Sequence, residues 1–575
     1  MSGELELRLT PADEGRLAVL VERARRERWA ERLMDRDVTL WSDDAGVQAA
    51  IADRLGWLDA PGHFAEQIPA LEAFGDAIRS AGITTAVVMG MGGSSLAPEV
   101  LRRTFGTAEG YLDLRILDST DPAAVAATVD DLDPLSTLWI VASKSGTTTE
   151  PLAFLADAWS RVSGALELAG SNQGPGAFFV AITDPGRSVQ AIPHHDELRE
   201  LFLNPPDIGG RYSALSYVGL VPASLIGLDL DSLLASATSM LAACHEPDAD
   251  LNPGVLLGLA MGSLASNGRD KLTFVAAAEI ETFGAWAEQL IAESTGKHGI
   301  GIVPVDREPL GAVEAYGEDR VFVSLELAGS PDTVGDLLAE LHAAGHPVIR
   351  IVIDDPMDLG GEFVRWEVAT AIAGAVLGID PFDQPNVEEA KELTRQVLAK
   401  ASGGGGGSAW GQPAGDPADG PPIHDLGGMS AADLAALVRD SMGVARPDRY
   451  LAIQAFIAPS DAADAAFDRI RALLRDRTGH ATTAGYGPRF LHSTVQLHKG
   501  GAPIGWFLQL VSTHPDDRQI PGWPYTFGQL IDAQAQGDAA ALAAHDLPVL
   551  RLRLGLDLAA NLVTLERAFG LALGG

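Results

Sequence analysis

A stretch at positions 141–150, VASKSGTTTE, gathers side chains that can bind a phosphate dianion. It follows an apolar run typical of a buried strand and precedes an apolar helical pattern. Hydroxyl groups, an ammonium group and the free N–H groups at a helix start all stabilise phosphate oxygens. We therefore expect a phosphate-binding loop, with these candidate ligands: Ser143, Lys144, Ser145, Thr147 and Thr148. An ordinary turn rich in serine and threonine has a similar composition.

A glycine turn at positions 87–100, VVMGMGGSSLAPEV, is a second candidate anion site. Gly92 and Gly93 allow the backbone to approach a ligand closely, and the Ser94 hydroxyl can donate to an anion. The Gly-x-Gly spacing is also half of a dinucleotide-binding fingerprint. A serine stands where that fingerprint needs its third glycine, and the expected acidic residue comes late. The pattern therefore favours anion binding over dinucleotide binding.

Two further motifs supply a group that can stabilise an oxyanion and a group that can transfer a proton. The sequence IGGRYS places Arg211 after Gly210, and a tightly held guanidinium can stabilise an oxyanion. In QLIAESTGK, Glu293 ends an apolar helical pattern that also contains Gln289. A carboxylate half shielded by apolar residues can have a raised pKa and act as a base near neutral pH. Taken alone, a surface arginine and a solvated helix end explain these motifs at least as well.

Two later motifs carry less information on their own. FDQPNVEEAK contains Gln384 and Lys391, and it is typical of a loop followed by a solvated helix turn. RFLHSTVQLHKG contains His492 and His498 in a chain with 13 histidines. Histidines six residues apart do not share a helix face, and neither has a partner at metal-ligand spacing, which argues against zinc. Either histidine could be an acid–base catalyst or a structural residue.

The composition limits the possible partners. The chain of 575 residues has a formal charge of −37, which disfavours binding to nucleic acid or to an anionic membrane. Only six lysines are present, and four of them lie in the motifs above, where a compact charge with a tunable pKa is useful. The single cysteine, Cys244, excludes an internal disulfide, and the longest apolar run is too short to span a bilayer. We expect a cytoplasmic protein.

Short apolar runs alternate with helical patterns from residue 84 onward, which predicts parallel sheets covered by helices on both faces. Ligands of such sheets bind beyond the C-terminal strand ends, and the glycine turn and the serine-rich loop both begin at predicted strand ends. The predicted fold class is α/β, with two doubly wound parallel-sheet domains and a smaller C-terminal α/β domain. The predicted boundaries are a helical lead-in at 1–60, a first domain at 61–245, a second at 246–400, a Gly- and Pro-rich linker at 401–428 and a third domain at 429–575.

Taken together, GMGGSSL, SKSGTTTE, GGRYS, QLIAESTGK and FDQPNVEEAK resemble the motifs of the glucose-6-phosphate isomerase family, in the same order and at compatible spacing. The resemblance implies two sugar-isomerase (SIS-type) domains and a homodimer. It also implies an aldose–ketose isomerase of glycolysis and gluconeogenesis, which interconverts glucose 6-phosphate and fructose 6-phosphate through an enediolate. Such an enzyme uses a sugar-phosphate substrate and needs neither a metal nor an organic cofactor.

The resemblance also implies a role for each site residue. Glu293 matches the base that moves a proton between C1 and C2, and Arg211, beside Gly210, matches the group that stabilises the enediolate. Lys391 matches the lysine that assists ring opening. The remaining matches contact the substrate or its phosphate: Gly92, Gly93, Ser94, Ser143, Lys144, Ser145, Thr147, Thr148, Gln289 and Gln384.

The ring-opening histidine departs from the usual family order. No suitable histidine motif lies between Glu293 and Lys391, whereas the later pattern H-S-T-x-Q-L resembles the missing stretch. This order is similar to the isomerase half of bacterial transaldolase/glucose-6-phosphate isomerase fusion proteins, although no pattern for the transaldolase barrel is present. We therefore expect His492, in the C-terminal domain, to open the sugar ring, with His498 as the alternative.

Two other functions fit parts of this pattern. A non-catalytic module that senses sugar phosphates would keep the serine-rich loop, but it could lose Arg211, Glu293 or Lys391. An isomerase of a related substrate such as mannose 6-phosphate would keep all of these groups. Epimer preference depends on contacts that the sequence does not fix.

Overall fold

The computed structural model describes residues 4–402, 420–443 and 448–574, which form three five-stranded sheets. In spatial order, the first sheet contains β3 (Asp113–Leu117), β2 (Thr85–Met89), β4 (Thr137–Ala142), β5 (Phe179–Thr183) and β6 (Glu200–Leu203). The second contains β1 (Glu4–Arg8), β10 (Val348–Ile353), β9 (Arg320–Leu327), β7 (Lys271–Ala276) and β8 (Val303–Val305). The third contains β11 (Ile423–Asp425), β15 (Val549–Arg553), β14 (Gly505–Val511), β12 (Tyr450–Phe456) and β13 (Ala481–Tyr486).

The three sheets share one strand order. In each sheet, four parallel strands that follow one another in the chain lie in the spatial order second, first, third, fourth, and a fifth strand pairs with the fourth. The fifth strand is parallel in the first and third sheets and antiparallel in the second. This is the doubly wound arrangement, in which ligands bind where the order reverses, between the first and third strands. The predicted α/β fold class is confirmed, and the third sheet has as many strands as the others.

Helices connect the strands and cover the sheets. In the first half of the chain they are α1 (Pro11–Arg26), α2 (Trp29–Met34), α3 (Ala45–Ala52), α4 (Ala60–Ala65), α5 (Ile68–Ser80), α6 (Gly93–Phe105), α7 (Pro122–Val129), α8 (Thr149–Leu168), α9 (Arg187–Ala191), α10 (Tyr217–Leu225), α11 (Leu230–Ala243), α12 (Pro253–Ser266) and α13 (Phe283–Thr295). The later helices are α14 (Gly335–Ala343), α15 (Leu359–Leu377), α16 (Val387–Ser402), α17 (Ala431–Met442), α18 (Asp461–Thr478), α19 (Val495–Gly500), α20 (Phe527–Ala544) and α21 (Leu558–Ala572). Two short 3₁₀ helices, Gly210–Tyr212 and Arg489–His492, carry candidate site residues.

Local sequence explains the elements that position the candidate site. Every residue of β4 (TLWIVA) is buried, as expected for a central strand covered on both faces. Helix α13 is buried along almost its whole length, so the polar side chains on it are held within the protein. Helix α20 begins with a capping box, in which the Thr526 side chain accepts from the backbone N–H of Gln529 and the Gln529 side chain accepts from that of Thr526.

The structure differs from the sequence-based expectation near both ends of the chain. The sequence interpretation placed Glu4–Arg8 in a helical lead-in, whereas this segment forms β1 at the edge of the second sheet. Its alternating pattern, ELELR, is that of a half-exposed strand. Of the predicted linker, residues 403–419 lie outside the described residues, and Ile423–Asp425 forms the edge strand β11.

A helix that spans a membrane must be both long and apolar. Within the described ranges, no helix is both long enough and apolar enough to cross a bilayer.

Candidate active site

Each sheet with the helices that cover it is called a unit below, numbered as the sheets are. The glycine turn lies where the first and third units meet. Gly92 has a positive φ of 54°, and a Cβ atom there would lie 2.3 Å from the carbonyl oxygen of His492. A Cβ atom on Gly93 would lie 2.1 Å from the carbonyl oxygen of Gly210. Any side chain at either position would therefore displace the backbone. The backbone of His492, the expected ring-opening histidine, and that of Gly210 in the arginine motif therefore pack against the N-terminus of α6. Ser94 is partly exposed at this position.

Gln289 and Glu293 lie one turn apart on the same face of α13. The Gln289 Nε2 atom donates to Glu293 Oε2 at 3.1 Å and to the backbone carbonyl of His492 at 2.7 Å. Both side chains are buried, and Glu293 retains 8% exposure. The amide therefore joins the predicted base, on the second unit, to the histidine segment of the third unit.

Arg211 is held in one orientation by contacts on every side. Its Nη1 atom lies 3.4 Å from Glu293 Oε1 and donates to Gln384 Oε1 at 2.8 Å. Its Nε atom donates to Ser294 Oγ at 2.7 Å, and Nη2 donates to the backbone carbonyls of Pro381 and Asp383. The guanidinium is only 2% exposed, so it provides a fixed positive charge beside the carboxylate. A fixed charge of this kind stabilises an oxyanion without reorganisation.

Sequence reasoning missed Glu150, which the structure places against His492. Glu150 lies in the first turn of α8, directly after the serine-rich loop, and is 5% exposed. Its Oε1 atom is 3.1 Å from His492 Nε2. A carboxylate oxygen only accepts, so Nε2 carries the proton and the other ring nitrogen of a neutral imidazole is an acceptor. The signal in the sequence was a carboxylate at the end of the motif SKSGTTTE, directly before an apolar helical pattern.

The serine-rich loop follows β4, which is the neighbour of β2 in the first sheet, so the loop lies beside the glycine turn. The Ser143 hydroxyl donates to Thr148 Oγ1 at 3.0 Å, and the Ser145 and Thr147 hydroxyls are 2.8 Å apart. The Lys144 ammonium is directed to Asp184 and to a backbone carbonyl, at 2.6 and 2.7 Å. The hydroxyls therefore form a cluster at the strand end, and a phosphate would share the Lys144 charge with Asp184.

The FDQPN loop is attached to Arg211 and to a buried lysine, Lys297. Gln384 is exposed except for its contact with Arg211. Lys297 is 1% exposed, and its ammonium pairs with Asp383 at 2.7 Å and donates to the backbone carbonyl of Asp380. Sequence reasoning missed this role of Lys297. Lys391 belongs to α16, but its side chain lies outside the described residues.

The alternative histidine, His498, is part of the core. Its Nδ1 atom is 2.8 Å from the Tyr450 hydroxyl, and its ring packs on Phe507. Burial lowers the pKa of His498 to about 3, so the ring is neutral at physiological pH. Its neighbour Lys499 forms a fully buried ion pair with Asp538, at 2.9 Å. These contacts fix α19 in the interior, and they favour His492 as the histidine that can exchange a proton with a ligand.

Comparisons with known proteins show which family the chain resembles. A family model described as phosphoglucose isomerase matches residues 27–308. A glucose-6-phosphate isomerase of Rubrobacter xylanophilus is 33% identical over 401 residues, which are 61% of this chain and 90% of that protein. A probable glucose-6-phosphate isomerase of Natronomonas pharaonis is 31% identical, over 54% of this chain and 78% of the relative.

Two solved structures are similar to this chain in fold. The structure of a hypothetical protein from Thermus thermophilus has a TM-score of 0.56 and 25% identity, and the match covers 69% of this chain and all of that chain. A glucose-6-phosphate isomerase structure from Chlamydia trachomatis has a TM-score of 0.51 at 23% identity, over 62% of this chain and 75% of that chain. Both similarities concern the fold of the part of the chain that each match covers.

Proposed function

This chain belongs to the phosphoglucose isomerase family, and we propose that the cluster of Glu293, Arg211 and His492 is its catalytic centre. The protein is an aldose–ketose isomerase that interconverts glucose 6-phosphate and fructose 6-phosphate. One observation carries the assignment of the centre: a single amide, on Gln289, bonds both to Glu293 and to the His492 backbone. Base and histidine are therefore held at one place although they come from different sheet units.

Ring opening is the first step of the proposed mechanism. His492 transfers a proton between the anomeric hydroxyl and the ring oxygen of the cyclic sugar, with Lys391 assisting at the ring oxygen. Glu150 accepts a hydrogen bond from the Nε2 atom of His492, which holds the imidazole in place. The carboxylate also balances the positive charge of the imidazole when the imidazole is protonated. That leaves the second ring nitrogen to exchange the proton with the sugar.

Proton transfer between C2 and C1 is the second step. Glu293 removes the C2 proton of the open-chain aldose, and the negative charge develops on the enediolate oxygens. Arg211, 3.4 Å from Glu293, stabilises that charge. The same carboxyl group then returns the proton to C1, and the hydroxyl proton of O2 passes to O1, which gives the ketose. Base, acid and charge stabiliser are all side chains, so the proposed mechanism needs no cofactor.

Phosphate binding fixes the sugar chain over these groups. We assign it to the hydroxyls of Ser143, Ser145, Thr147 and Thr148, with Ser94 and the backbone of Gly92 and Gly93 beside them. Lys144 also belongs to the serine-rich loop, and a phosphate bound there would share the charge of its ammonium with Asp184. Gln384 contacts Arg211 and closes the site from the FDQPN loop. Homodimer assembly and a cytoplasmic location follow from the family and stay proposals, which sedimentation and fractionation would test.

The activity is tested with purified full-length protein and fructose 6-phosphate, coupled to a dehydrogenase that oxidises glucose 6-phosphate. We expect turnover without added metal, and a lower kcat/KM with mannose 6-phosphate as the competing substrate. Binding of sugar phosphate without turnover would contradict this function and favour the sensing module instead. A higher kcat/KM for mannose 6-phosphate would contradict the assigned substrate.

The pH dependence should show the contribution of Lys297. Burial, and then the charge of Arg211, lower the pKa of Lys297 to about 8. As pH rises through about 8, the ammonium loses its proton and its ion pair with Asp383, which anchors the loop carrying Gln384. We therefore expect kcat/KM to fall on the alkaline side with a midpoint near this value. In Lys297→Arg the guanidinium stays charged, so the fall should move to higher pH.

Thermal unfolding separates this effect from denaturation. The folded pKa of Lys297 lies below its ordinary value of 10.5, so between about pH 8 and 10.5 the unfolded state binds more protons than the folded state. The contribution of this group to stability therefore rises with pH in that window. Activity should fall while the Lys297 contribution to stability does not. A flat kcat/KM profile from pH 7 to 10 would contradict the role given to Lys297.

A further inference from the structure

Helix α20, in the third unit, reaches the His492–Glu150 pair through Gln534. The Gln534 Nε2 atom donates to Glu150 Oε1 at 2.6 Å, and the Thr120 hydroxyl donates to Gln534 Oε1 at 2.7 Å. Thr120, Gln534 and Glu150 are all buried, with exposures of 0%, 3% and 5%. A row of hydrogen bonds therefore runs from the first unit into the third, back to Glu150, and on to the imidazole.

The direction of this row is fixed by the carboxylate at its centre. An ionised carboxylate only accepts hydrogen bonds, so the NH₂ group of Gln534 must face Glu150 and its carbonyl must face the Thr120 hydroxyl. Glu150 Oε1 accepts from both Gln534 and His492. The oxygen that orients the imidazole is thus itself held in place by the Gln534 amide.

The same face of α20 contacts two other segments of the site. Residues 534, 537 and 538 lie at the spacing i, i+3 and i+4, which places them on one side of the helix. A Cβ atom on Gly537 would lie 2.7 Å from the Thr394 hydroxyl, so this glycine lets α20 pack closely on α16. Asp538 forms the buried ion pair with Lys499, which follows the histidine segment. Helix α20 is therefore held against α16 and α19 by the turn that follows Gln534.

We propose that Gln534 is a positioning residue for ring opening, which acts by holding the Glu150 carboxylate directed at His492. This inference rests on the proposed function and deepens it. It assigns a purpose to the third unit beyond supplying the histidine, because that unit also supplies the group that orients the carboxylate partner of the histidine. Gln534 is 3% exposed and its side chain bonds to Glu150 and Thr120, so we assign it an effect through Glu150 and not on the substrate itself.

A double-mutant cycle tests the proposal. In Gln534→Leu, kcat/KM for fructose 6-phosphate should fall about 10–100-fold, mainly through kcat, as is typical when a group that orients a catalytic residue is removed. In a Glu150→Gln background the same change should cost less than about twofold, because a residue that acts through Glu150 has no further effect once that carboxylate is gone. Equal losses in both backgrounds would overturn the proposal.

Gln509→Leu is the matched control. Gln509 is also fully buried, and its Nε2 atom donates to the backbone carbonyl of Ala535, the residue after Gln534 on α20. Its loss loosens the same helix without touching Glu150. The Gln509 Oε1 atom also accepts from the buried Arg551 Nε at 2.8 Å, so we expect a drop in melting temperature at least as large as in Gln534→Leu. We expect a normal kcat/KM only in Gln509→Leu. If the control loses as much activity as Gln534→Leu, the effect is one of packing and the proposal fails.

A readout that does not depend on turnover distinguishes this proposal from the proposed function. The ¹⁵N shifts of the His492 imidazole report its hydrogen bond to Glu150 in the resting protein. They should change in Gln534→Leu and match the wild type in Gln509→Leu. Unchanged shifts in Gln534→Leu would refute the positioning role even in an active enzyme, whereas an inactive wild type with the expected shifts would contradict only the proposed function.

Discussion

A Glu293→Gln variant is expected to lose about 10²–10⁴-fold in kcat, the range supplied by a general base, while it still binds sugar phosphate. The substitution keeps the size of the side chain, and its amide can still occupy the position between Gln289 and Arg211. It removes the only group assigned to carry the proton from C2 to C1. Steady-state turnover of fructose 6-phosphate and the affinity for glucose 6-phosphate, measured by calorimetry, check both halves of the prediction.

Glu288→Gln provides the control on the same helix. Burial, with Asp306 nearby, raises the pKa of Glu288 to about 8, so this carboxyl is mostly protonated at neutral pH and an amide replaces it with little change in charge. We expect normal turnover in Glu288→Gln. Near-normal activity in Glu293→Gln would remove the role assigned to that residue, and loss of ligand affinity would show that the substitution damaged the site as a whole.

His492→Ala is expected to show the second large effect, again about 10²–10⁴-fold in kcat/KM, because the cyclic substrate then opens only by its uncatalysed route. The side chain is partly exposed, so its removal should leave the fold intact. The backbone carbonyl that accepts from Gln289 remains in the variant. The coupled assay measures the loss, and thermal unfolding checks that the variant is folded.

His498→Ala separates the two candidate histidines. It removes a buried ring and its contact with Tyr450, so we expect a lower melting temperature but substantial activity below that temperature. The opposite pattern, an inactive folded His498→Ala beside an active His492→Ala, would place the ring-opening group at His498. Full activity in both would make the third unit peripheral to catalysis.

The sequence predicts central strands of the first and second sheets well, because each is a short apolar run. Thr85–Met89 and Val348–Ile353 have the predicted limits. It does not predict β13, ATTAGY, whose small and polar residues lack the apolar signal of a strand. It also misses β1, where five residues add to the edge of a sheet built from a distant part of the chain. The local sequence pattern therefore predicts strands that are fully buried, and it predicts strands at sheet edges poorly.

The candidate site is predictable in its motifs and not in its contacts. The family motifs point to Glu293, Arg211 and the serine-rich loop, and the late histidine pattern points to His492. The partner of that histidine, Glu150, is 342 positions away in the chain, and Gln534 is 384 positions from Glu150. No spacing rule connects residues so far apart. The folded structure alone pairs Lys144 with Asp184 and encloses His498 in the core.

The central claim is that two groups from different sheet units divide the reaction, with His492 opening the ring and Glu293 moving the proton. Exchange NMR between the anomeric C1–H signals of α- and β-glucose 6-phosphate measures ring opening directly, since reclosure on either face interconverts the anomers without breaking the C2–H bond. Catalysed exchange should persist in Glu293→Gln and fall to the uncatalysed rate in His492→Ala. Fast anomer exchange in His492→Ala, or its loss in a folded Glu293→Gln that still binds substrate, would contradict this division.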